Sequence, residues 1–238
     1  MAGSNLESVS LYCALSMIPL LIVGAGGFGR ECLDVVEAMN ADAPRWDFLG
    51  FMSDGGHDAE QLARRGAPYL GSVDLIEHLS AWDPSTRRAI RYVIGIGSGS
   101  TRRAIDQRLT GWGREAAVLI HPSATCGVDV EIGPGSVLTA GVRITTNVRI
   151  GRHVHLNLNA TVGHDCEIGD YVTVNPGVNL SGNVVVEAEA TLSTNSVAIP
   201  GVRIGAGAMI GAGAVVVRDA PAGETLVGVP AKPITRRS

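Results

Sequence analysis

Stepping by six from Ile120 visits Ile120, Cys126, Ile132, Leu138, Ile144, Ile150, Leu156, Val162, Ile168, Val174, Leu180, Val186, Leu192, Ala198, Ile204, Ile210 and Val216. All but Cys126 and Ala198 are Ile, Leu or Val, and the companion two residues before each, from Val118 to Ala214, is always Val, Ala, Ser or Cys. Neither a helix, repeating every 3.6 residues, nor an ordinary strand, repeating every two, produces such a pattern. A parallel β-solenoid does: each short face supplies one large and one small inward side chain, and three faces close an eighteen-residue coil. Roughly five to six coils at a spacing of about 4.8 Å make a prism on the order of 27 Å tall. Gly133, Gly151, Gly163, Gly169, Gly205 and Gly211 follow large inward residues, where a turn tolerates little bulk. Cys126 and Cys166 stand on inward registers and are expected to be inert core filler.

The residues before Ile120 follow a different rule. Strand-like segments at 18–23, 48–52, 91–96 and 116–120 alternate with helix-like segments at 31–39, 73–79 and 101–109, which implies a parallel sheet with helical crossovers. The expected division is an N-terminal extension at 1–16, an α/β Rossmann-like domain at 17–119, a parallel β-helix domain at 120–220 and a tail at 221–238. The 19 Lys and Arg are scattered in a 238-residue chain of formal charge −4, so no basic stripe exists and nucleic acid is not an expected partner. No segment reaches the roughly 18 apolar residues of a bilayer span, so no membrane partner is expected either. Four cysteines without C-x-x-C spacing suit a reduced, cytoplasmic protein.

Hexads such as Ile204-Gly205-Ala206-Gly207-Ala208-Met209 and the closing Gly228-Val229-Pro230-Ala231-Lys232 resemble the hexapeptide-repeat acyltransferases. The run Leu21-Ile22-Val23-Gly24-Ala25-Gly26-Gly27-Phe28-Gly29-Arg30 ahead of a helix is similar to the sugar O- and N-acyltransferases of the NeuD and PglD type. The resemblance implies a left-handed parallel β-helix, a homotrimer with active sites between subunits, and acetyl-CoA as co-substrate with no metal. It further implies transfer of an acetyl group to the amine of a UDP- or dTDP-linked amino sugar; a sugar hydroxyl is the alternative acceptor, and a non-sugar acceptor a remoter one.

Acyl transfer from a thioester needs a base near neutral pH and a donor for the developing oxyanion. In Gly163-His164-Asp165, the resemblance makes His164 the general base and Asp165 its orienting carboxylate. Some relatives carry a second histidine nine residues on, contacting the acyl donor; Thr173 stands there in this chain, and His155, one coil earlier, is a candidate to compensate. Asn157 matches a polar position of the family's site, but Asn157, Asn175 and Ser193 also form an eighteen-residue ladder that reads equally well as a turn-stabilising stack. The other expected donor contacts are Gly182, Ala212, Pro230, Ala231 and Lys232. For the nucleotide sugar, Gly24, Gly26, Gly27, Phe28 and Gly29 form a phosphate-cradling turn at a helix N-terminus. Asp54, Gly97, Ser98 and Arg102 lie at the C-terminal edge of the same sheet, the usual ligand edge. A trimeric β-helix metalloenzyme using His153, His155 and His164 is a rival of another class, since a metal needs converging ligands; a non-catalytic scaffold is a second.

Overall fold

Every coil of the C-terminal half turns three corners, and the backbone at those corners shapes the prism. From Asp129 to Gly213 every sixth residue has a positive φ: Asp129, Gly135, Gly141, Asn147, His153, Asn159, Asp165, Tyr171, Gly177, Asn183, Glu189, Asn195, Gly201, Gly207 and Gly213. This left-handed conformation costs an ordinary L-residue about 1–2 kcal/mol, and Gly, Asn and Asp tolerate it best. Those three types fill every such corner except His153, Tyr171 and Glu189, which stack on successive coils of a single corner.

The computed structural model describes residues 17–78 and 89–234. Between corners, two- and three-residue strands pair in parallel with the strand eighteen residues on, as in His155↔Thr173, Thr161↔Asn179 and Glu167↔Val185. The result is three sheets of five, eight and six strands wound into about six turns, consistent with the left-handed parallel β-helix that the resemblance implies. The inward registers form one continuous core from Leu138 to Leu226. Cys166 is buried as expected, donates its thiol to the Ser181 carbonyl at 3.1 Å, and has its pKa raised by burial. Cys126 corrects the expectation: it is exposed, because it belongs to the first coil of its sheet and has no coil beneath it.

The N-terminal half runs β1 (Ile18–Val23), α1 (Gly27–Asp42), β2 (Trp46–Met52), α2 (Ala59–Arg64), α3 (Leu75–His78), β3 (Arg91–Ile94), α4 (Gly99–Gly111) and β4 (Glu115–Ala116). Its sheet is parallel throughout, in the order β2-β1-β3-β4, with apolar cores on both faces. Helix α2 carries no helical periodicity in the sequence because only Leu62 is buried; Asp58 caps it by accepting from the Gln61 N–H at 3.0 Å. Of the helix expected at 73–79, residue 79 lies outside the described residues, as do residues 1–16. The single strand expected at 116–120 is instead two: β4 pairs with β3, while β5 (Leu119–Ile120) pairs with Val137–Leu138 in the solenoid.

The two halves meet along α4. The Arg102 guanidinium is fully buried and donates to the carbonyls of Ile96, Gly97, His153, Tyr171 and Val172 at 2.6–3.1 Å. One turn further on, the Asp106 carboxylate accepts from Arg152 at 2.6 Å, from His153 Nε2 at 2.8 Å, from the Tyr171 hydroxyl at 2.7 Å, and from the Tyr92 hydroxyl. Arg103 adds an ion pair to Glu189 at 2.6 Å. Thus the three bulky residues at left-handed corners are those that α4 grips. Gly135 lies one coil below His153, where a Cβ would come within 2.3 Å of the imidazole, so this corner needs glycine for space as well as for its φ of +80°.

Burial alone would raise the Asp106 pKa, but hydrogen bonds from Arg152, His153 and Tyr92 outweigh it and hold the carboxyl far below the usual range. Burial lowers the pKa of His153 despite the Asp106 contact, and lowers that of His155 further. Both imidazoles are therefore neutral in the fold and take up protons on unfolding, near pH 6.5. Stability is expected to fall as pH drops below about 7, where the unfolded histidines protonate before the folded ones, and again below about pH 4, where the unfolded state protonates the carboxyl that Asp106 keeps ionised. Urea midpoints across pH check this; His155→Ile should flatten the upper part of the slope, and a flat wild-type profile there would contradict the assignment. Separately, Leu156→Ala in the closed core should cost about 2–5 kcal/mol. Cys126→Ala at the open first coil should stay within about 0.5 kcal/mol by the same denaturation measurement.

Candidate functional site

At the C-terminal ends of β1, β2 and β3 the sheet opens into a cavity of about 590 Å³, lined among others by Gly24, Gly26, Gly27, Phe28, Asp54, Gly97 and Thr101. Gly24 has a φ of +104°, and a Cβ on Gly29 would fall 1.9 Å from the Gly24 carbonyl, so α1 can start close against β1 only with glycine there. Gly26 caps α1 without a side-chain acceptor, which leaves the first helical N–H groups directed at the cavity as anion donors. Asp54 stands at the rim but is already engaged: it accepts from the Val73 N–H and from Arg108, each at 2.8 Å. Slight burial would raise its pKa, and these hydrogen bonds overcome that and lower it. Ser98 caps α4 by accepting from the Thr101 N–H and does not line the cavity. Arg102 is corrected from a ligand-facing residue to a structural one, because its donors are spent on backbone carbonyls inside the joint.

A second cavity, of about 210 Å³, lies between the two halves and is lined by Phe28, Glu31, Gly97, His155, Asn157, Thr173, Asn175 and Pro176. Phe28 and Gly97 line both cavities. His155 packs against Phe28 with ring centroids 4.4 Å apart, and Thr173 donates to the Gly97 carbonyl at 2.8 Å. Both side chains are therefore drawn into the joint. Asn157 and Asn175 each donate to a carbonyl of the next coil at 3.0 Å, which is the turn-stabilising stack; the Asn157 Oδ1 is buried without a partner among the described residues. Glu31, which sequence reasoning did not single out, has its pKa raised by burial and by Asp34.

His164 lies on a different corner and lines neither cavity. Its Nδ1 meets Asp165 Oδ2 at 2.7 Å, so the shorter aspartate arm reaches the imidazole, and Asn147 donates to the other carboxylate oxygen at 3.1 Å. Hydrogen bonds from His164 and Asn147 lower the Asp165 pKa. The side chain of His164 is 58% exposed, and its outer edge lies over Gly182, where a Cβ would come within 2.5 Å of Nε2. One imidazole nitrogen is thus oriented by a carboxylate, and the other lies above a backbone with no side chain. The tail is tied to the last coils: Thr225–Val227 pairs with Met209–Ile210 and with Lys232–Pro233, and the Ala231 N–H donates to Val215. Ala212, Pro230 and Lys232 are exposed and Ala231 is half-buried. His153 and His155 are buried in the joint while His164 is exposed on another corner, so these three do not converge; among the described residues no group of three His, Cys, Asp or Glu is placed to hold a metal. The joint residues Asp106, Arg152 and Tyr171 were invisible as a group in the sequence; the one available signal was a bulky residue at a corner register that elsewhere holds Gly, Asn or Asp.

Residues 19–109 match the family model described as the PglD N-terminal domain. The acetyltransferase domain of PglB from Neisseria gonorrhoeae is 32% identical over 91% of this chain and 100% of that one, with a TM-score of 0.78; it has also been solved in complex with acetyl coenzyme A. A His-to-Asn variant of perosamine N-acetyltransferase from Caulobacter crescentus, in complex with CoA and GDP-perosamine, is 29% identical over 91% of this chain and 97% of that one, with a TM-score of 0.80. A 2,3,4,5-tetrahydropyridine-2,6-dicarboxylate N-acetyltransferase of Staphylococcus aureus (strain JH9) is 44% identical over 52 residues, and the match spans only 22% of that protein's length. With its parallel-sheet domain, its six-residue solenoid and a relative domain above 30% identity that it covers from end to end, the chain belongs to the hexapeptide-repeat sugar acyltransferase family.

Proposed function

We propose that this protein is an acetyl-CoA-dependent N-acetyltransferase acting on the amino group of a nucleotide-linked amino sugar. The observation that carries the reading is the His164–Asp165 pair, open at Nε2 above Gly182, in a chain that also holds a glycine-lined cleft with free helix N–H donors. In this reading, residues 24–29 hold the pyrophosphate and the sugar extends toward the smaller cavity. His164 takes the proton of the amine as its nitrogen attacks the thioester carbonyl, and Asp165 stabilises the resulting imidazolium. A backbone N–H near Gly182 holds the oxyanion. When the carbon–sulfur bond breaks, the imidazolium returns its proton to the departing thiolate, leaving an amide and CoA. Because His164 lines neither cavity of its own chain, the reading includes a homotrimer in which His164 of one subunit serves the cleft of another. The tail from Pro230 to Lys232, with Ala212, borders the CoA. The cysteine usage fits a cytoplasmic enzyme.

Transfer to a sugar hydroxyl uses the same base and is the second reading. An amine is favoured by the carboxylate of Glu31 on the smaller cavity, which attracts an ammonium and repels acidic acceptors, and by the complex of the Caulobacter relative with GDP-perosamine. The test is free-thiol release from acetyl-CoA with UDP-, GDP- and dTDP-linked amino sugars beside matched hydroxy sugars. Release with an amino sugar alone is expected; release with hydroxy sugars alone would transfer the assignment to the second reading. His164→Ala should lower turnover by about 10²–10⁴ without changing the oligomer seen by sedimentation, and Asp165→Asn should lower it less. Full activity of His164→Ala would remove the assigned base.

A further inference from the structure

The geometry points to Arg102 as a positioning residue for nucleotide-sugar binding, acting through the Gly95–Gly97 loop rather than by touching the ligand. One planar guanidinium holds two carbonyls of that loop, Ile96 at 2.8 Å and Gly97 at 2.9 Å, and three carbonyls of the solenoid corner, His153, Tyr171 and Val172. Five donors in a rigid fork match five acceptors from two separate bodies, a bridge that lysine, with three donors on a flexible stem, cannot reproduce. The held loop is itself a wall of both cavities through Gly97. Thr173 of the solenoid donates a second bond, at 2.8 Å, to the same Gly97 carbonyl. The helix carrying Arg102 has no slack against the corner: a Cβ on Gly99 would come within 2.5 Å of the Tyr171 carbonyl. Burial lowers the pKa of Arg102 to about 10, which leaves it cationic at neutral pH, where five carbonyl dipoles and, among the described residues, no carboxylate contact its guanidinium. The loop's position is therefore dictated by the solenoid, and the shape of the nucleotide cleft depends on the joint.

The kinetic arm of the test rests on the proposed function; the exchange arm does not. In Arg102→Met, hydrogen–deuterium exchange of peptides covering residues 95–102 should quicken by tenfold or more while peptides from the coils at 197–216 stay unchanged. Arg102→Lys should fall between this variant and wild type. Thr173→Val, which removes one bond and keeps the shape, should shift the same peptides in the same direction by a smaller factor and serves if Arg102→Met folds poorly. In turnover, KM for the nucleotide sugar should rise at least tenfold in Arg102→Met with KM for acetyl-CoA within twofold of wild type. Unchanged exchange at 95–102 in both Arg102→Met and Thr173→Val, or equal rises in both KM values, would overturn the assignment. Quickened exchange in the variants of an enzyme whose wild type turns over no nucleotide sugar would leave the hold of Arg102 on the 95–97 loop standing and defeat the functional reading instead.

Discussion

Each coil of the solenoid is bonded to the next by backbone hydrogen bonds that keep residues eighteen apart in register, as in His155 N–H to the Val172 carbonyl and Thr173 N–H to the Ala190 carbonyl. Because a parallel ladder allows no local slip without moving every side chain of the coil, this constraint places side chains as firmly as it places backbone. It sets Gly182 over His164, Thr173 over His155 and Tyr171 over His153. It also creates one vertical column of carbonyls at the His153 corner, and that column is what Arg102 reads. The N-terminal domain is thus seated on a surface whose geometry the repeat determines.

Most of the solenoid was legible because it is repetitive. A signal that recurs in every coil averages out individual exceptions, so Ala198 and Ser196 remain inward despite their small or polar side chains. The signal is weakest where a coil has a neighbour on one side only. Cys126 satisfies the register yet is exposed, since inwardness is a property of the stack and not of the residue. The segment at 116–120 fails for a related reason: Ala116 and Leu119 are both strand residues, but the chain leaves one sheet and enters another between them, which an apolar run does not reveal.

Sites were legible in proportion to how local they are. The His164–Asp165 contact joins adjacent residues, and the residue 24–29 turn is a single contiguous loop, so the chemistry of each is visible in a short string. Arg102 and Thr173 have partners 50 or more residues away, at separations of 51, 69, 70 and 76 positions. Arg102 stands at a ligand edge by sequence and inside a joint by structure, a distinction that depends on the solenoid arriving against α4. His155 is likewise on an ordinary strand position until Phe28 closes over it. The corner register held the missing information: a histidine, a tyrosine and a glutamate accept a conformation that asparagine or glycine adopts more cheaply, and they do so only where another domain compensates the strain.

A repeat of eighteen residues makes height in this molecule a counted quantity. Inserting or deleting one whole coil between His164 and the tail would move one relative to the other by a single storey of about 4.8 Å and leave every corner pointing as before; any other length change would rotate the remaining coils onto the wrong faces. The chain abandons the count only once it has passed the last full coil, where Thr225 pairs with Met209 across sixteen residues and the final strand turns back antiparallel. Divergence within such a scaffold is confined to whole steps along the axis, so the span available to an elongated substrate changes digitally, while the edges and corners are free to change one residue at a time.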